Sequence, residues 1–153
     1  MKQTLFLFAC ILSFSFISCN GNKAVSKSPT PVKGKGISFI KSNSLQPLLE
    51  RAKTENKLIF LDFYTSWCLP CRVMDEEVFS LASTGTAMDK NFISYKVNAE
   101  KGNGPTLSTV FNVYAYPTLL FLDADGKVLE RQDGSLSNSQ FLNLAESALA
   151  RGM

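Results

Sequence analysis

An α/β fold with a mixed β-sheet flanked by helices is predicted for this 153-residue chain from three observations. Leu58-Ile59-Phe60-Leu61-Asp62-Phe63-Tyr64 is a near-continuous apolar run, which suits a strand covered on both faces. Helical and strand-like patterns alternate through the middle of the chain, and the order then ends in a hairpin and a helix. A hydrophobic content of 45% is enough for one ordinary core, and no internal repeat is visible.

Taken in order, Ser44 is a plausible N-cap for a helix through about Glu55, with Leu45, Leu48, Leu49 and Ala52 on its apolar face. Pro47 is tolerated because it falls in the first turn. The strand from Leu58 to Tyr64 follows, and a charge in its middle, Asp62, is conspicuous. A helix from about Cys68 to Leu81, a strand over Phe92 to Asn98 and a helix over Thr106 to Asn112 come next. Thr118 to Leu122 and Lys127 to Gln132 form a hairpin around Asp123-Ala124-Asp125-Gly126, where turn chemistry explains the acids better than an incomplete calcium loop. Ser137 with Gln140 makes a capping box for a last helix to about Arg151.

Charge is distributed unevenly. Lys23, Lys27, Lys33, Lys35 and Lys41 precede the first acid, Glu50, whereas ten basic and thirteen acidic residues follow from Ser42 onward. The net charge of +3 is too small to suggest nucleic-acid binding. Met1 and Lys2 lead into an apolar run from Leu5 to Ile17, of signal-peptide length and shorter than the roughly 20 residues that span a bilayer. Phe16-Ile17-Ser18-Cys19 resembles the lipobox of bacterial lipoproteins, with Phe16 where Leu is usual. That resemblance implies cleavage before Cys19 and lipid on Cys19. The alternative is an ordinary cleaved leader, for which no clear small-x-small site is evident. The expected organisation is a leader over 1–18, a flexible basic tether over 19–41 and one domain over 42–153.

Four cysteines fit this organisation. Cys10 would leave with the leader and acylation would consume Cys19, so Cys68 and Cys71 remain as one pair. They lie in Trp67-Cys68-Leu69-Pro70-Cys71, one helical turn apart and just behind the first strand. At a helix start, unpaired backbone N–H groups and the helix dipole favour a thiolate. A structural bridge or half of a metal site is the alternative. Structural bridges usually close longer loops, and zinc wants four strong ligands in a chain that has no histidine. No metal and no cofactor are expected.

Asp62 to Arg72, followed by Tyr116-Pro117-Thr118 and Gly134, resembles the thioredoxin superfamily, above all exported thioredoxin-like lipoproteins of Bacteroidetes-type bacteria. The resemblance covers about residues 42 to 151 and implies a thioredoxin fold. It further implies that Cys68 attacks, that Cys71 resolves and that Pro117 is a cis-proline facing the disulfide. Tyr116 would then offer backbone hydrogen bonds to an extended substrate, and Trp67 would flank the site. Asp62 falls on the buried acid of the family and Lys96 on the lysine beside it. Pro70 resembles reducing members, while Leu69 departs from the frequent Gly.

Asp62 could be a strand-end residue reaching solvent or Lys96, Tyr64 is read as a core aromatic, and Asp75, Glu76 and Glu77 as a solvated helix face without a role. The functional expectation is a membrane-anchored thiol:disulfide oxidoreductase of the bacterial envelope that reduces or isomerises client disulfides. It would act as a monomer, with a membrane thiol-electron donor as partner. The alternative from another class is a binding lipoprotein that holds extended polypeptides and keeps the disulfide for structure.

Overall fold

Four strands form the sheet of this computed structural model, which describes residues 34–152. The order in space is β2 (Phe92–Asn98), β1 (Leu58–Tyr64), β3 (Thr118–Leu122), β4 (Val128–Asp133). β1 runs parallel to β2 and antiparallel to β3, and β3 runs antiparallel to β4, so the sheet is mixed. The expected leader, Cys19 and most of the expected tether lie outside the described residues.

The apolar run of β1 has the predicted cause. Alternate residues feed two cores: Leu58 and Phe60 pack on one face with Met74, Phe79, Phe121 and Phe141, and Ile59, Leu61 and Phe63 pack on the other with Leu48, Ala52 and Leu107. The first face is covered by α2 (Leu69–Met74), α3 (Ala82–Asn91) and α5 (Asn138–Gly152); the second by α1 (Gln46–Glu55) and α4 (Gly104–Val110). Asp62 follows Leu58 and Phe60 in the alternation, so it lies on the face covered by α2. Among the described residues no helix is long and apolar enough to cross a membrane.

Two differences from the sequence reading have physical causes. The helix expected to run to Leu81 stops being regular after Met74, where one π-helical turn (Asp75–Phe79) takes over, and a separate helix, α3, follows. α3 escapes a periodicity reading because its buried positions are Thr84, Gly85 and Met88, of which only Met88 is a large apolar residue. The second difference concerns the chain entry. Residues 36–40, assigned to the tether, are docked on the domain. Ile37 N–H donates to the Phe79 carbonyl at 2.9 Å and Ile40 N–H to the Ser94 carbonyl at 2.8 Å. Ser38 donates its N–H and its hydroxyl to the Asp89 carboxylate, at 2.9 and 2.6 Å. Two glycines allow the approach: a Cβ on Gly36 would fall 1.9 Å from the Phe79 carbonyl oxygen, and one on Gly85 would fall 2.4 Å from the Lys35 carbonyl oxygen.

Ser44 is not the N-cap of α1: Leu45 takes that position without a side-chain cap bond, and Ser44 Oγ accepts the Gln46 N–H at 3.3 Å, whereas the capping box of α5 and the hairpin turn keep their expected chemistry. Ser137 N–H donates to Gln140 Oε1 at 2.9 Å and Gln140 N–H to Ser137 Oγ at 3.4 Å, which is the capping box that opens α5. In the β3–β4 turn, Asp123 Oδ1 accepts the N–H groups of Asp125 and Lys127, both at 2.9 Å.

Candidate active site

β1 delivers the chain to the site and α2 fixes it. Cys68 has extended backbone angles and is the N-cap of α2, and Pro70 occupies the first turn, where a missing N–H costs nothing. Cys68 and Cys71 form a disulfide with their Cα atoms 5.4 Å apart, and Cys68 Sγ accepts the Cys71 N–H at 3.2 Å. Both cysteines are buried, while Trp67 (66% exposed) and Leu69 (60% exposed) stand out on either side. The sulfurs are therefore reached past an apolar rim.

The peptide bond between Tyr116 and Pro117 is cis, as the resemblance implies. Trp67 and Tyr116 meet edge to face, with ring centroids 6.0 Å apart and planes at 83°. Gly134 N–H donates to the Pro117 carbonyl at 2.8 Å, which ties the chain after β4 to this loop. The structure thus brings Trp67 and the Tyr116-Pro117 loop into one platform.

Asp62 and Lys96 are direct cross-strand partners in the β1/β2 register, so both project on the α2 face. Asp62 is 1% exposed, and Lys96 Nζ lies 3.3 Å from its Oδ2. That contact is an ion pair rather than a well-aligned hydrogen bond, and neither carboxylate oxygen has a hydrogen-bond partner. Burial pushes the Asp62 carboxyl up to about 6; the Lys96 charge pulls against this and Asp75 adds to it. For Lys96 burial disfavours the ammonium, but the carboxylates of Asp62 and Asp75 outweigh that and hold its pKa above the ordinary lysine value.

Sequence reasoning missed part of this cluster. Asp75, read as a solvated helix face, also pairs with Lys96 Nζ. Spacing from Cys71 puts Asp75 on the helix face that carries the buried cysteine, but the ammonium it meets is supplied by the strand register of Lys96. Glu100 was missed as well, and its carboxylate accepts the Trp67 indole N–H at 2.9 Å. Tyr64, read as a core aromatic, is only half-buried and faces Lys96 Nζ at 4.9 Å from its ring centroid. Among the described residues no group of three or more His, Cys, Asp or Glu side chains is placed to hold a metal ion.

The family model for the thioredoxin-like domain matches residues 45–149. The chain belongs to the thioredoxin-like domain family. A solved Bacteroides thetaiotaomicron structure, described as a candidate disulphide-isomerase, is similar at 33% identity and a TM-score of 0.68, covering 77% of this chain and 97% of that one. The thiol:disulfide interchange protein DsbD of Pseudomonas sp. (strain JR1 / K1) is 30% identical over 121 residues, which are 76% of this chain and 21% of that protein. This chain therefore spans about a fifth of that relative. The oxidised C-terminal domain of Neisseria meningitidis DsbD shares the fold, with a TM-score of 0.59 at 22% identity over 72% of this chain and 97% of that one. The thioredoxin-like Cys-x-x-Cys pair and relatives named for thiol:disulfide interchange support the expected class, a thiol-disulfide oxidoreductase.

Proposed function

We propose that this thioredoxin-like domain reduces or isomerises disulfides of client proteins in the bacterial envelope, held at a membrane through a lipid on Cys19. The observation that carries the reading is the Cys68–Cys71 pair at the start of α2 together with a buried carboxylate, Asp62, that projects on the sheet face covered by that helix. In the reduced protein Cys68 thiolate attacks a client disulfide, forming a mixed disulfide and releasing one client thiolate. Cys71 then gives up its proton, attacks Cys68 Sγ and releases the second client thiolate, so two electrons pass from the pair to the client. Asp62 takes the Cys71 proton through water, a role its pKa of about 6 suits near neutral pH. Lys96 supports it by holding part of the carboxylate charge in place.

Trp67, Tyr116 and Pro117 carry the extended client segment, with Trp67 and Tyr116 supplying apolar contact and the loop backbone supplying hydrogen bonds. Pro70 starts the helix that carries Cys71. A membrane thiol-electron donor would restore the dithiol. Residues 1–18 act as the leader and the segment after Cys19 as a basic spacer that gives way to the docked chain near Gly36. The lipobox-like Phe16-Ile17-Ser18-Cys19 after an apolar leader favours the envelope location.

A Cys71→Ser variant tests the chemistry. Trapped mixed disulfides between Cys68 and client proteins are the expected result; unchanged binding of unfolded polypeptide with no trapping would assign the protein as a binding module instead. Mass spectrometry of the mature N-terminus tests the anchor, for which an acylated Cys19 is expected. An unmodified Cys19, or a chain starting elsewhere, would refute it.

A further inference from the structure

Lys96 sits among three aromatic rings. Its Nζ lies 4.9 Å from the Tyr64 ring centroid, 5.4 Å from that of Phe39 and 5.7 Å from that of Phe79. Tyr64 belongs to β1, and Phe79 is a fully packed core residue. Phe39 is different, because its position depends on the chain entry rather than on the sheet. It packs edge-on against Phe79 with centroids 5.6 Å apart and tilted against Phe60 at 6.2 Å. The backbone on either side is pinned by the Ile37, Ser38 and Ile40 hydrogen bonds and by the close approach at Gly36.

The two acids that share Lys96 differ in exposure. The Asp62 side chain is 1% exposed and that of Asp75 is 42% exposed. A free ammonium would favour the hydrated end of this cluster, where Asp75 already contacts it directly. The Phe39 ring sets a π face 5.4 Å from this ammonium, whose side chain is 22% exposed and whose Nζ lies 3.3 Å from Asp62.

We propose that Phe39 is a positioning residue: carried by the docked Gly36–Ile40 segment, its ring holds the Lys96 ammonium against Asp62, so the entry of the chain into the domain sets the surroundings of the buried acid. Gly36, Gly85 and Asp89 then have a shared purpose, which is to seat this strap on the π-helical turn and on α3. The charged and titratable groups facing Asp62 are Lys96 from β2 and Asp75 from the helical side, with Tyr64 on its own strand. β3 presents Leu119 opposite Asp62, the strap carries no charge between Gly36 and Ile40, and the disulfide of α2 does not titrate. The inference rests on the proposed role of Asp62 only for its consequence in turnover.

The test is a 13C-carboxyl NMR titration of Asp62 in the oxidised full-length chain, comparing wild type with Phe39→Leu and Phe39→Tyr. Leu fills most of the volume without a π face, whereas Tyr keeps the ring. In Phe39→Leu the Asp62 midpoint should rise by about half a pH unit, a threefold change in its protonation ratio, and the Lys96 side-chain resonances should move downfield as the Phe39 share of their ring-current shift is lost, with the Tyr64 and Phe79 rings still in place. Phe39→Tyr should leave both in place. An unchanged or lowered midpoint in Phe39→Leu, or an equal shift in Phe39→Tyr, overturns the proposal. If Asp62→Asn leaves client reduction untouched across pH, the proton-acceptor reading fails while the positioning result stands on its own.

Discussion

Replacing Asp62 by Asn should make the oxidised protein more stable at pH 8 and almost no more stable at pH 3.5. The carboxyl is buried, and its pKa rises from 3.8 to about 6, chiefly because burial penalises the charged form. The folded-state value lies above the unfolded one, so the stability associated with the neutral acid is fully present below pH 3.8 and is lost as pH rises through about 6. A shift of about two units at about 1.4 kcal/mol each places roughly 3 kcal/mol of destabilisation on the ionised acid at pH 8. Asn has nearly the shape of the protonated acid and no charge to bury, so it should recover most of that. With an m-value of about 1.5 kcal/mol/M, the urea midpoint at pH 8 would rise by roughly 2 M. Urea unfolding of both proteins at pH 8 and pH 3.5 is the assay. Equal midpoints at pH 8, or a less stable Asp62→Asn protein there, would refute the assignment of Asp62 as a buried acid held charged at a cost.

Other substitutions separate the remaining parts. Lys96→Met removes the charge that pulls the Asp62 pKa down, so a carboxyl titration should place the Asp62 midpoint above 6; a fall would contradict the ion-pair geometry. Gly36→Ala puts a Cβ within 1.9 Å of the Phe79 carbonyl oxygen, and thermal unfolding should show a loss of about 1 to 3 kcal/mol from strain in the docked strap. Glu100→Ala frees the indole of Trp67, the chain's one tryptophan, so its fluorescence should change and the KM for a polypeptide client should rise with kcat little altered. An identical emission spectrum would mean that Glu100 does not hold the ring.

The chemistry of this site was legible where it is written in local order, and obscure where it depends on tertiary approach. β1 showed itself because a strand covered on both faces is apolar throughout, and the same continuity made Asp62 stand out. Cys68, Pro70 and Cys71 carry their own geometry in their spacing, and the capping box of α5 lies within four residues. Asp75 was hidden in an acidic run whose neighbours Glu76 and Glu77 are exposed, so composition suggested a solvated face. Only the register that sets Lys96 beside Asp62, together with the turn of α2, brings Asp75 to the same ammonium. α3 lacked a readable stripe because Thr84 and Gly85 do the packing, the latter for close backbone approach. Residues 36–40 read as spacer for a related reason: their Gly and Ser content signals a loop, while the partners that dock them lie some forty or more residues away in sequence.

Which way the electrons flow is the centre of the proposed function, and the reduction potential of the Cys68–Cys71 pair against a glutathione or thioredoxin reference measures it directly. About 30 mV changes this two-electron equilibrium tenfold, so the result discriminates sharply. For a domain that donates electrons to client disulfides, a potential close to the about −270 mV of thioredoxin is expected. A value close to the about −120 mV of the strongly oxidising foldase DsbA would contradict it and make the pair an acceptor.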